Sequence, residues 1–306
     1  MRATPGMGLD EHPTQIAELA DGPVEYRFDR RGPDTVVVFH GGHMRAGLSL
    51  GEEVFADAGC SVLVPSRPGY GRTPVSTGGS AGGFADVTAA LCSQLGIASV
   101  AAVVGVSAGG PTAVAMAARY PALVDRMILQ SAVGPLPWPD RRTRMAARVA
   151  FTARTEPLLW AVVRTLMRHA PEVGLRMLLR DLTVLPSRKA VSGLGAEDRA
   201  RLIALFSRMR SGHGFLRDLK ALETTAELTR HAGQVSQPSL VIATCQDGAV
   251  PFAHARALVA ALRQTELIES WAGGHFIWFG QDWPTIADRI RDFLLADLYL
   301  MPRGEL

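Results

Sequence analysis

Cysteine is scarce in this sequence. Cys60, Cys92 and Cys245 are the only three, scattered without metal-ligand spacing and too few to pair completely. A disulfide-stapled secreted scaffold is therefore excluded, and a reducing compartment fits. The opening stretch MRATPGMGLDEHPTQ carries Arg2 but no apolar run behind it, so no secretory signal is legible and a cytoplasmic protein is expected. Internal repeats and low-complexity tracts are absent too, which excludes solenoids and long disordered arms. Charged residues make up only 20% of the chain against 47% hydrophobic ones. That balance is the composition of a globular, somewhat apolar protein, and 306 residues suffice to bury about 75% of the unfolded surface.

The small net charge of +3 conceals an uneven distribution. Residues 135–236 hold 18 Lys+Arg and 9 Asp+Glu, a net of +9, while the rest of the chain nets −6. The arginines are spread through amphipathic segments with no aromatic interleaving and no nucleic-acid motif, so a solvated basic face is expected and nucleic acid is not a partner. Membrane contact through this segment is not expected either.

Residues 99–118 lack charge and are nearly long enough to cross a bilayer. Gly105, Gly109, Gly110 and Pro111 interrupt that run, its first half is β-branched and its second half is alanine-rich. It reads as a strand followed by a helix.

Along the rest of the chain, PVEYRFDR (23–30) and TVVVF (35–39) read as strands joined by the turn RGPD in a hairpin-like start to a sheet. Short apolar runs follow: SVLVPS, VAAVVGV, RMILQSAV, PSLVIATC and TELIESWA, most of them separated by helical stretches such as FADVTAALCSQL and HARALVAAL. Continuous apolar strands alternating with helices predict an α/β fold with a mostly parallel central sheet covered on both faces. Between Pro135 and about Ser236 only helical periodicity remains, as in Leu159, Val162, Val163, Leu166 and Met167. The expected organisation is an N-terminal tail over 1–20, a candidate for disorder; a core over 21–134 and 237–300; and an inserted all-helical cap over 135–236.

The stretch GVSAGGP places Ser107 at the turn between the strand VAAVVGV and the helix PTAVAMAARY. Glycines two residues to either side suit a strained turn packed against neighbouring elements, and a helix N-terminus presents N–H groups to an anion formed at the serine. A serine nucleophile needs a base. His275 follows the run TELIESW and the loop Ala272-Gly273-Gly274, so it should project from a strand end. His254 is expected to cap a helix or face solvent, while His12, His169, His213 and His231 lie in the tail or cap. The base in turn needs a carboxylate to hold its tautomer. Asp247 ends PSLVIATCQD at a strand's carboxyl edge, and Asp282 is a second candidate. Finally HGGH (40–43) follows TVVVF, where an amide from Gly42 or His43 together with the amide of Ala108 would give the two donors a tetrahedral oxyanion requires. His40 is expected to be structural and His43 is a candidate for the pocket entrance.

Ser…Asp…His in that order, each after its own strand, with HGG upstream and SRPGYGRT (66–73) after a further strand, closely resembles the α/β-hydrolase fold family from about Val24 to Leu298. The resemblance implies a serine hydrolase with Ser107 as nucleophile, His275 as base, Asp247 as its orienting acid and Gly42 and Ala108 as oxyanion donors. No cofactor and no metal is implied, since His and Cys show no ligand spacing. The expected partner is a small hydrophobic molecule, an ester or lactone cleaved through an acyl-enzyme, with the cap's apolar side closing over the Ser107 pocket and its arginines facing solvent. Relatives with the same triad include cofactor-free haloperoxidases, C–C bond hydrolases and proline iminopeptidases, and some homologues bind ligands without catalysis.

Overall fold

The computed structural model describes residues 11–139, 141–152, 154–221 and 225–296. Its eight strands are β1 (Gln15–Leu19), β2 (Gly22–Asp29), β3 (Thr35–Phe39), β4 (Ser61–Pro65), β5 (Ala102–Val106), β6 (Met127–Gln130), β7 (Ser239–Ala243) and β8 (Thr265–Glu269). They form one sheet in the order β1-β2-β4-β3-β5-β6-β7-β8, antiparallel at β1, β2 and β4 and parallel from β4 onwards. Strands β3, β4, β5 and β7 are buried along their whole length, as continuous Val/Ile/Leu runs require in a sheet covered on both sides.

Helices α1 (Glu53–Asp57), α2 (Ala81–Gln94) and α3 (Gly110–Arg119) cross between the early strands. Seven more follow β6: α4 (Arg141–Ala150), α5 (Glu156–His169), α6 (Pro171–Leu179), α7 (Ser187–Ser192), α8 (Ala196–Arg208), α9 (Gly214–Ala221) and α10 (Ala226–Gln234). α11 (Ala253–Ala261) and α12 (Trp283–Leu295) complete the chain's described helices. The alternation of side chains along a strand decides which layer each residue joins. Val37 and Phe39 pack with α2, α3, α10 and α11, whereas Val36 and Val38 pack with α1 and α12. The uncharged run at 99–118 divides into β5 and α3, as its glycines and proline imply.

Three expectations are corrected. Residues 15–19 are not a tail but the edge strand β1, whose Ala17 is buried in the core; residues 1–10 of the expected tail lie outside the described residues. β2 and β3 do not form a hairpin, because β4 inserts between them and pairs with both, and the hairpin is β1–β2 instead. A turn such as RGPD reports that the chain reverses, not which strand it will lie beside. The helical insertion also ends before 236: α10 buries Leu228 and Ala232 against α3 in the core, so the separate helical body comprises earlier helices. The last expected core residues, 297–300, lie outside the described residues.

That body has its own apolar centre. Trp160, Val163 and Met167 of α5 pack with Leu175 and Leu179 of α6, Val191 of α7 and Leu202, Leu205 and Phe206 of α8, joined to the core through Met44 and Leu48. Among the described residues no helix is long and apolar enough to cross a membrane.

Candidate active site

Four loops leave the carboxyl ends of β3, β5, β7 and β8, and each carries one of the residues singled out above. In parallel sheets this edge is where ligands bind, because the loops converge there while the crossovers bury the opposite faces. Ser107 follows β5 directly and takes a left-handed backbone angle, φ 51°. The neighbouring glycines are there for space. A Cβ on Gly109 would stand 2.1 Å from the Phe39 carbonyl oxygen, and one on Gly105 would stand 2.7 Å from Cα of Gly110. The Ser107 carbonyl accepts the Val133 N–H at 2.9 Å, which ties the turn to the end of β6. Ala108 lies in the 3-10 turn opening α3, where the first N–H groups have no acceptor within the helix.

His275 and Asp247 are brought together by β7 and β8 lying side by side. His275 Nδ1 and Asp247 Oδ2 are 2.7 Å apart, with both residues buried. The other oxygen, Oδ1, accepts the N–H groups of Ala249 and Val250, each at 2.8 Å. Three acceptor interactions keep this carboxylate buried at low cost, and the natural proton position is on Nδ1, which turns an unprotonated Nε2 outwards. Asp282 is elsewhere: it accepts from Ser270 Oγ and from the Trp271 N–H and so organises the turn before α12.

The His275 loop is held from two sides by residues that sequence reasoning passed over. Ser131, at the end of β6, donates its hydroxyl to the His275 carbonyl at 2.9 Å. From the helical insertion, the Leu182 carbonyl accepts the His275 N–H at 2.7 Å, Thr183 donates its hydroxyl to the Gly273 carbonyl, and Val184 donates its N–H to Gln246 at 3.0 Å. Thr183 forms an antiparallel bridge with Asp247, so close that a Cβ on Gly248 would meet the Thr183 backbone at 2.7 Å. A three-residue strap therefore spans both the acid loop and the base loop. Only the glycine at 248 hinted at a backbone passing nearby.

His40 is structural: its Nε2 accepts the Arg67 N–H at 3.0 Å, and burial, reinforced by the Arg67 charge, holds it neutral. Arg67 also donates from Nε to the His40 carbonyl at 2.8 Å, and its guanidinium forms a buried two-point pair with Asp218 of α9 at 2.7 and 2.8 Å. Burial opposes the Arg67 charge, yet Asp218 and the Tyr70 hydroxyl raise its pKa overall. His254 is corrected: it neither caps a helix nor faces solvent, but is buried and accepts the Gly134 N–H on Nδ1 at 3.1 Å.

Ser107, His275, Gly42 and His43 face one cavity of about 950 Å³ between the strand ends and the helical insertion. Its walls are mainly apolar: Trp138, Phe151, Trp160, Val163, Phe206 and Phe215 come from the insertion, and Trp278 comes from the core. Of the charged lining residues, Arg180 and Asp181 are exposed to solvent, and the third, Glu52, is paired with Arg27. Apolar side chains thus turn inwards as expected, although Leu158, Val162, Val173 and Met177 also remain exposed on the outer surface of α5 and α6.

Known proteins resemble this chain in sequence and in fold. The sequence model of the alpha/beta hydrolase fold matches residues 34–281. The hydrolase YcgS of Bacillus subtilis (strain 168) is 31% identical over 265 residues, covering 85% of this chain and 91% of that protein. The solved structure of an alpha/beta hydrolase fold protein from Nakamurella multipartita superposes with a TM-score of 0.78 at 23% identity, over 92% of this chain and 99% of that one. An esterase from Exiguobacterium antarcticum gives 0.64 at 15% identity, over 91% and 98%, a likeness of fold alone. On this sequence match, its span and the shared sheet, the chain belongs to the alpha/beta hydrolase fold family.

Proposed function

We propose that this hydrolase cleaves uncharged, small-to-medium hydrophobic carboxylic esters or lactones through an acyl-enzyme on Ser107. The observation that carries the reading is the left-handed serine at the strand–helix turn, facing the same apolar cavity as a histidine whose far nitrogen is bonded to a buried, three-times-satisfied aspartate.

In this mechanism His275 Nε2 accepts the Ser107 hydroxyl proton as Oγ attacks the acyl carbonyl. The oxyanion of the tetrahedral intermediate is met by the N–H groups of Gly42 and Ala108. Collapse expels the alcohol oxygen, which takes the proton back from His275. Water then repeats the sequence: His275 removes its proton, the hydroxide attacks the acyl carbon, and Ser107 leaves as the hydroxyl. Asp247 holds the Nδ1 proton throughout and stabilises the imidazolium that forms twice per turnover.

The cavity supports the substrate class. Its size lies at the upper end of ordinary ligand sites, and its depth holds no unpaired charged side chain among the described residues. Labelling with a fluorophosphonate and mapping the adduct tests the reading: modification of Ser107 alone is expected, and modification of any other serine would overturn it.

A further inference from the structure

His43 stands next to the oxyanion loop in a conformation that costs energy. Its φ is 63°, a left-handed angle rarely adopted by non-glycine residues. The surrounding contacts hold it there. Its carbonyl accepts the Arg210 N–H at 3.1 Å, and its ring is 4.1 Å from the Phe215 ring and stacked on Phe151 at 4.9 Å. Such strain persists only where surrounding structure enforces it, and it collects at working sites.

A short chain of hydrogen bonds decides which ring nitrogen carries the proton. Trp160 Nε1–H, which can only donate, gives its proton to Ser211 Oγ at 2.9 Å. Ser211 Oγ is 2.8 Å from His43 Nδ1, and Ser211 is fully buried. If Nδ1 carried the proton, Ser211 would accept twice and its own hydroxyl proton would be left buried without an acceptor. The satisfied arrangement has Ser211 donating to Nδ1, so the proton of the neutral ring sits on Nε2. Burial lowers the ring's pKa to about 4, so it is neutral near pH 7. Among the described residues no protein group accepts from Nε2, and the residue lines the cavity that holds Ser107.

We propose that His43 Nε2–H is a specificity-determining donor that recognises an uncharged acceptor oxygen, an ether, ketone or hydroxyl, in the part of the substrate away from the scissile bond. This deepens the ester or lactone reading and rests on it. A neutral donor in an aromatic wall selects an oxygen without attracting a carboxylate, and an all-carbon chain would leave that donor dry and unpaired.

Phenyl hexanoate and its 3-oxa, 4-oxa and 5-oxa analogues, in which one methylene is replaced by oxygen, place an acceptor at successive depths. For wild type, kcat/KM for one oxa ester relative to phenyl hexanoate should exceed the same ratio in His43→Leu by about five- to tenfold. His43→Gln, which keeps a donor, should recover part of it. An unchanged ratio at every position would overturn the proposal. Binding of the four esters to Ser107→Ala, with and without His43→Leu, gives the same comparison without turnover. If wild type hydrolyses none of them but the binding ratio depends on His43, the ester reading fails while the donor assignment stands. Should the leucine variant not fold, 15N-histidine spectra of wild type decide: Nδ1 must be the unprotonated nitrogen of His43, and a protonated Nδ1 rejects the inference.

Discussion

The sheet edge and the helical insertion face the same cavity but are built in different ways. At the edge, Ser107, Asp247 and His275 are held by backbone: a strand end, tight turns and hydrogen bonds from N–H groups. The insertion presents side chains from helices whose own apolar centre is separate from the two sheet faces, and it leaves Leu158, Val162, Val173 and Met177 exposed. Two attachments stand out between these regions, the Arg67–Asp218 pair and the strap at 182–184. The contrast teaches a division of construction: backbone fixes the residues of the sheet edge, while helix side chains supply most of the cavity's apolar wall.

The largest effects test the edge. Ser107→Ala and Asp247→Asn should each lower turnover by about ten-thousandfold, and combining Ser107→Ala with His275→Ala should cost little more than the serine change alone. Asp282→Asn, whose amide oxygen retains the acceptor for the Trp271 N–H while its NH2 can donate to the Ser270 hydroxyl, should leave steady-state kinetics near wild type. Loss of activity there with retention in Asp247→Asn would reverse the assignment.

Next comes the buried pair that joins the regions. Asp218→Ala strands the Arg67 guanidinium without its carboxylate, and urea unfolding should show a loss of about 3–5 kcal/mol. Arg67→Met with Asp218→Leu should recover much of that loss, since neither charge then needs a partner. A double variant no better than Asp218→Ala would mean that the pair's geometry, rather than its charge balance, carries the stability.

The strap is expected to matter less. Thr183→Val keeps the shape and removes both the hydroxyl's bond to the Gly273 carbonyl and the acceptor of the Leu185 N–H, a loss of about 1–2 kcal/mol. If the strap sets the position of His275, the loss should appear as a roughly fivefold fall in kcat with KM unchanged, and Thr183→Ser should restore it. A change in KM alone would place Thr183 with the substrate-shaping residues instead.

Smallest per step is the response to substrate length. Each added methylene should raise kcat/KM about fourfold, from roughly 0.8 kcal/mol of burial, until the cavity is filled. A flat profile with steep loss of activity in salt would instead point to recognition of anionic substrates by the exposed arginines.

Much of this molecule was legible without coordinates. Period-two and continuous apolar runs identified β2 to β8, because a strand's burial is written in its own residues. The glycines around Ser107, the loop before His275 and the turn after Asp247 pointed to strand ends for the same local reason. β1 escaped notice because QIAEL is a short edge strand in which only Ala17 is buried, so its residues carry no packing pattern. α10 resembles its helical neighbours in sequence, and only its contact with α3 assigns it to the core.

What the sequence by itself determined was the α/β alternation, the helical insertion and the candidate residues Ser107, Asp247 and His275 at strand ends, since each depends on side-chain type and near neighbours. Tertiary structure alone decided that β4 lies between β2 and β3, that Arg67 pairs with Asp218, and that Thr183 and Ser131 hold the His275 loop. These are pairings between residues far apart in the chain. Each is fixed by which surfaces the folded sheet brings within hydrogen-bond reach, and no local pattern of residues encodes that distance.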